Sequence, residues 1–168
     1  RGRLASLIDE EGGTTTYSYD GRGRLRFMSN PIGGISTAVY DGSLNVPSSY
    51  TDAAGSTTEY IYDTRGNAIL SKLPDGSTQS AAYGLDGRLL WTQDAVGLKT
   101  SYEYSAAGRL KSVNAGGRVY KISYDAAGNP VETVDALGRP TRFSYDPAGR
   151  VVAVASADGA TVELSYDA

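Results

Sequence analysis

Residues 141–150 read Thr141-Arg142-Phe143-Ser144-Tyr145-Asp146-Pro147-Ala148-Gly149-Arg150. Thr141, Phe143 and Tyr145 alternate with Arg142 and Ser144, which puts apolar and aromatic side chains on one face and polar ones on the other. Period-two contrast of this kind marks a half-buried antiparallel strand. The strand runs into Asp-Pro-Ala-Gly. There Asp can hydrogen-bond the backbone two residues on, and Gly supplies positive φ without a Cβ clash. The stretch is a strand followed by a turn.

It recurs along the whole chain. Tyrosines stand at Tyr19, Tyr40, Tyr62, Tyr83, Tyr104, Tyr124, Tyr145 and Tyr166, in steps of 21, 22, 21, 21, 20, 21 and 21 residues. Six are followed by Asp (Asp20, Asp41, Asp63, Asp125, Asp146, Asp167), while Gly84 and Ser105 depart. Gly23, Gly66, Gly87, Gly108, Gly128 and Gly149 follow four residues after the Tyr, each succeeded by Arg or Asn, and Gly2-Arg3-Leu4 repeats that tail. A second turn follows in most units, as at Asp52 to Gly55, Asp94 to Gly97 and Asp135 to Gly138. Two turns separated by two short segments per unit are consecutive β-hairpins. A helical reading fails, because successive Gly residues are never more than 13 positions apart and no segment carries a 3.6-residue apolar period.

The expected fold is therefore all-β: tandem hairpin repeats of about 21 residues in a curved antiparallel sheet, with residues 1–168 forming about eight units. Stacked edge to edge they give about 16 strands spanning roughly 75 Å. The strand ahead of each Tyr shows its buried face directly, as in Thr58-Tyr60-Tyr62 and Thr100-Tyr102-Tyr104. The other strand is less regular: Leu25 and Phe27, Leu89 and Trp91, Leu110 and Val113, Val131 and Val134, Val151 and Val154. Pairs three apart cannot share a face of a regular strand, so β-bulges are expected there.

Composition removes whole classes of chemistry. The 168 residues include 13 Tyr and 21 Gly but no Cys and no His. That excludes thiolate and imidazole zinc sites, Ser-His and Cys-His nucleophile pairs, and disulfides. The formal net charge of −3 gives no electrostatic footprint for nucleic acid. No apolar run approaches the roughly 20 residues of a membrane span. The opening Arg-Gly-Arg-Leu reads as a piece cut from a longer protein.

The strings Tyr124-Asp-Ala-Ala-Gly-Asn129, Asp135-Ala-Leu-Gly-Arg139 and Tyr145-Asp-Pro-Ala-Gly-Arg150 resemble the YD repeats of bacterial Rhs proteins. Similar repeats occur in insecticidal toxin-complex subunits and animal teneurins. The resemblance covers essentially the whole chain and is weakest at 40–52, where Leu44-Asn45 replaces Gly-Arg and Pro47 interrupts. It implies a segment of a spiral, hollow β-shell that encloses a C-terminal toxin domain. It also implies partners in the rest of that shell, the enclosed toxin and secretion-system components, with secretion or cell-surface display in a bacterium. The family's self-cleaving DPxGL-type motif is not carried over, because Arg150 stands where that motif has an apolar residue.

Other readings of the same residues are weaker. Tyr faces could stack on sugar rings, which makes a surface adhesion or carbohydrate-binding module the alternative. Yet the Tyr spacing is the fold's own period, so packing is the simpler role. The Asp-Gly turns offer one or two carboxylates each, too few for calcium. Glu10-Glu11 and Ser71-Lys72, as adjacent strand residues, would point to opposite faces and form no dyad. The chain is expected to hold no cofactor and to catalyse nothing.

Overall fold

A computed structural model describes residues 2–167. They are all-β, with sixteen strands that pair antiparallel with their chain neighbours within each of two units. The chain divides into two units, residues 1–88 and 89–168. The first holds β1 (Ser6–Ile8), β2 (Thr14–Tyr19), β3 (Leu25–Ser29), β4 (Ile35–Tyr40), β5 (Pro47–Thr51), β6 (Thr57–Tyr62), β7 (Ala68–Lys72) and β8 (Thr78–Tyr83). The second holds β9 (Leu89–Gln93), β10 (Lys99–Tyr104), β11 (Leu110–Ala115), β12 (Arg118–Tyr124), β13 (Pro130–Val134), β14 (Pro140–Tyr145), β15 (Val151–Ala155) and β16 (Thr161–Glu163).

Turns alternate between two sheet edges. One edge carries the Tyr-Asp turns and the other carries the second turns. In both, the Gly amide closes the turn onto its first residue, as Gly23 N–H donates to the Asp20 carbonyl at 2.9 Å and Gly55 N–H to Asp52 at 3.0 Å. The step of 20 residues before Tyr124 has a local cause. A two-residue Gly116-Gly117 loop joins β11 to β12, with φ of 57° and 89°, where the other second turns use five residues.

Six hairpins carry the same β-bulge, always at the signature tyrosine. Ser144 faces Ala153 and Tyr145 faces Val151, so residue 152 is the extra one. The same slip occurs at Tyr19, Tyr40, Tyr62, Tyr104 and Tyr124. This accounts for the pairs three apart: Leu110 faces Tyr104 and Val113 faces Tyr102, on one face. It also corrects two expectations. Met28 lies across from Tyr17, whereas Phe27 lies across from Ser18 on the opposite face. Trp91 lies across from Ser101, again on the polar face. Glu10 and Glu11 sit in the β1–β2 turn and not in a strand.

No hydrophobic side chain is fully buried among the described residues. The Tyr face is half-buried and the other face more exposed, as in β14, where Thr141, Phe143 and Tyr145 are intermediate and Arg142 and Ser144 exposed. One sheet layer supplies no second layer to bury either face. Cohesion must therefore come from what links each hairpin to the next.

Candidate functional site

The repeating signature is the candidate site, and its parts interlock. Each Tyr but Tyr166, which follows β16, ends an even-numbered strand on the Tyr-Asp edge. Seven of the eight hydroxyls cross to the preceding strand and donate to the carbonyl of that strand's first residue, or just before it. Tyr40 donates to Leu25 at 2.7 Å, Tyr62 to Pro47 at 2.7 Å, Tyr104 to Leu89 at 3.0 Å and Tyr124 to Leu110 at 2.9 Å. Tyr19, Tyr145 and Tyr166 do the same to Leu4, Pro130 and Val151. Tyr83 ends β8 at the equivalent place.

The reason lies in the ladder. Backbone pairing of β13 with β14 stops at Glu132 opposite Arg142, leaving the Pro130 carbonyl beyond its reach. The Tyr145 hydroxyl supplies the missing donor. An unpaired carbonyl would otherwise lose free energy comparable to a hydrogen bond wherever water is excluded. Burial pushes the Tyr62 hydroxyl's pKa up, with the neighbouring Tyr60 adding to it. Those two rings sit 6.3 Å apart within β6. Successive signature rings are two strands apart, about 9.6 Å, too far for ring contact.

The Asp organises its own turn. Asp20 Oδ1 accepts from the amides of Arg22 and Arg24 at 2.9 and 3.0 Å, and Oδ2 accepts from Arg24 Nε at 2.6 Å. Asp146 repeats this with Ala148 and Arg150. In Asp63 and Asp125 an Asn amide takes the place of the guanidinium, from Asn67 at 2.8 Å and Asn129 at 3.0 Å. Arg and Asn alternate after the Gly because either one can return an N–H to the carboxylate. The Arg24 amide, opposed by desolvation and reinforced by its side chain, lowers Asp20 to about 2. The Asn side chains lower Asp63 and Asp125 in the same direction.

Departures from the signature are compensated locally. Ser105 Oγ accepts the Arg109 amide at 3.2 Å. Where Gly84 lacks a carboxylate, Asp86 accepts from the Arg88 amide and side chain. Asn45 takes the positive-φ position at 59°, a conformation its short polar side chain tolerates.

Arginines then strap one turn to the next. Arg24 lies 4.3 Å from the Tyr40 ring centroid and donates to the Asp41 carbonyl and Asn45 Oδ1. Arg22 reaches the Gly42 carbonyl at 2.8 Å. Arg65 reaches the carbonyls of Gly84 and Leu85. Arg109 reaches Ala127 and lies 5.7 Å from the Tyr124 ring centroid. At Gly128 the φ of 103° favours glycine, and a Cβ there would also push aside the Arg109 guanidinium. Gly23 stands in the same relation to Arg3. Gly66, Gly87, Gly108 and Gly149 close their turns as Gly23 does. Spacing alone disclosed the signature but not these acceptors; the nearly constant interval between Tyr and acceptor, 15 residues except for 14 at Tyr124, was the available clue.

Elsewhere the surface offers shallow depressions. One of about 380 Å³ on the polar face is lined by Ser101, Glu103, Ser112, Asn114 and Lys121 among others. There Ser112, only 9% exposed, donates to Glu103 Oε2 at 3.0 Å. Among the described residues no three His, Cys, Asp or Glu side chains converge as a metal cluster. Among them, too, no helix is long and apolar enough to cross a membrane.

Comparison with known proteins agrees with this geometry. The RHS Repeat family model matches residues 1–29 and 124–161. No match was found among curated protein sequences. A crystal structure of TcdB2-TccC3 is similar over 92% of this chain and 12% of its own, with 16% identity and a TM-score of 0.53. A TcdB2-TccC3-TEV crystal structure gives 15% identity and 0.50 over 90% of this chain and 12% of its own. The Tc holotoxin pore of Photorhabdus luminescens gives 16% and 0.50, over 92% and 12%. The chain thus spans about an eighth of those neighbours' length, and at such identity they establish the fold. Residues 1–29 and 124–161 thus carry the RHS Repeat pattern, and the signature and hairpin order of the residues between are similar to it.

Proposed function

We propose that residues 1–168 are one continuous run of about eight hairpin units within a larger shell that encapsulates a C-terminal toxin domain for delivery. The role is mechanical and non-catalytic, in a secreted bacterial effector. The observation that carries it is that seven signature Tyr hydroxyls link neighbouring strands and turn arginines link one turn to the next, while Asp and Gly close the turns. Tyr hydroxyls go to carbonyls of the neighbouring strand, and Asp and Arg go to turns. A wall needs such continuity; a local binding or catalytic site would interrupt it. The partners on this reading are the remaining shell, its enclosed toxin and the secretion machinery. The glycan-binding alternative loses part of its resource, because seven of the signature Tyr hydroxyls that would meet a sugar are engaged with backbone carbonyls. Limited proteolysis of the full parent protein tests the reading. The segment after the shell should resist cleavage until the wall is weakened by substituting several signature tyrosines together. Equal cleavage before and after would refute encapsulation.

A further inference from the structure

We infer that β8 is the strand at which this run of hairpins opens first, an opening point built into the fold because three supports are missing there together. The first is the tyrosine link. In the same unit Tyr19, Tyr40 and Tyr62 donate to the carbonyls of Leu4, Leu25 and Pro47. By that spacing Tyr83 would reach Ala68, yet among the described residues its hydroxyl makes no hydrogen bond.

The second support is a side-chain acceptor on the first residue of each flanking turn, which takes the amide four residues on. Asp9 and Asp20 do this on either side of β2, Asp52 and Asp63 beside β6, and Asp135 and Asp146 beside β14. Strands β4, β10 and β12 have at least Asn30, Asp94 and Asp125. The turns beside β8 begin with Leu73 and Gly84, which carry no acceptor. Asp75 and Asp86 stand inside those turns, and each takes the backbone amide only two residues on, at Ser77 and Arg88. The third support is the ring two residues before the signature tyrosine. Tyr17, Tyr60 and Tyr102 hold that place in their strands, and Ala81 holds it in β8.

The strand is nonetheless folded. Gly84 N–H donates to the Arg88 carbonyl at 2.8 Å, and the Arg65 guanidinium still reaches the carbonyls of Gly84 and Leu85. On its β7 side a ladder of three residue pairs holds it, from Leu70–Ser80 to Lys72–Thr78. Segments with few such supports open at lower free energy than the whole protein. Strand β4 is the internal control. It has Ala38 at the ring position, but Asn30 and Asp41 order its turns and Tyr40 bonds to Leu25. The inference goes beyond the encapsulating role and does not depend on it.

Peptide-resolved hydrogen exchange of the intact protein tests it. Amides of β8 and of the 84–88 turn should exchange about tenfold or more faster than those of β4 and β6. A triple variant, Leu73→Asp with Ala81→Tyr and Gly84→Asp, restores the missing groups. Its β8 exchange should slow by about tenfold or more while β14 is unchanged. Asp52 and Asp63 head turns with the same backbone bonds, so Asp fits both places. The converse variant, Asp52→Leu with Tyr62→Phe and Asp63→Gly, should bring β6 to the rate of β8. Equal exchange of β4, β6 and β8 in the unaltered protein would overturn the inference. So would a β8 rate that the triple variant leaves unchanged, or a β6 rate that the converse variant leaves slow.

Discussion

The Arg24 guanidinium lies over the Tyr40 ring at 4.3 Å, while the Tyr40 hydroxyl donates to the carbonyl of Leu25, the residue after Arg24. At Arg3–Tyr19, Arg24–Tyr40, Arg109–Tyr124 and Arg150–Tyr166 one unit's arginine therefore grips the next unit's tyrosine, and that tyrosine grips back. Cation–π contacts of this kind contribute about 0.5–1 kcal/mol at exposed sites. The forked guanidinium adds bonds to Asp20, Asp41 and Asn45 that a lysine could not make together. Repetition of the contact, more than the strength of one copy, holds a single-layer sheet together.

Replacing Arg24 by Lys should accordingly lower the denaturation midpoint more than Arg22→Lys does. Arg22 makes one side-chain bond to the next turn, whereas Arg24 bonds its own Asp20 and the 41–45 turn and stacks on a ring. Paired urea melts check the order of the two.

Gly55→Ala and Gly128→Ala separate backbone strain from crowding. A side chain at Gly55 meets open space, so only its positive φ counts, about 1–2 kcal/mol. At Gly128 the same strain is joined by displacement of the Arg109 strap. The Gly128 substitution should cost more in the native background and less in an Arg109→Ala background. A double-mutant cycle measures that coupling.

The turn carboxylates give the pH dependence a sign. Their folded pKa values lie below the ordinary carboxylate value, with Asp20 at about 2, held there first by the Arg24 amide. Asp146 is lowered likewise by the Arg150 amide, and Asp135 by the Arg139 side chain. A depressed folded pKa stabilises the fold fully above the unfolded value and loses that contribution as pH falls through the folded one. Stability should thus be flat above about pH 5 and decline between about pH 4 and 2. Thermal melts across that range check it, and Asp20→Asn should flatten part of the decline.

Glu103 is a further case. On the polar face its removal would ordinarily be almost neutral, but it accepts the hydrogen bond of the nearly buried Ser112. Glu103→Ala should destabilise by about 1 kcal/mol, and Glu103→Gln by less. Tyr104→Ala should remain the more damaging change, since it removes both a half-buried ring and the bond to Leu89.

Much of this was legible in the sequence. The Tyr spacing gives the period, the Asp and Gly positions give the turns, and alternation before each Tyr gives the face of the even-numbered strands. The faces of Phe27 and Trp91 were not legible, because one bulge residue reverses the parity of everything beyond it. Spacing says that a bulge exists, but backbone pairing decides which residue is extra. The reach of Arg24 and Arg109 into the following turn was hidden too. It depends on the close approach of turns about 20 residues apart, which no local pattern encodes.

The central claim is that signature tyrosines act through their hydroxyls as links between strands. The most direct measurement compares Tyr124→Phe with Tyr120→Phe in the same strand, β12, by denaturant unfolding. Tyr124 donates to Leu110 at 2.9 Å, whereas Tyr120 lies off the signature and is 42% exposed. The account predicts a loss of about 1 kcal/mol for Tyr124→Phe and under about 0.5 kcal/mol for Tyr120→Phe. Equal effects from the two substitutions, or none from Tyr124→Phe, would contradict it.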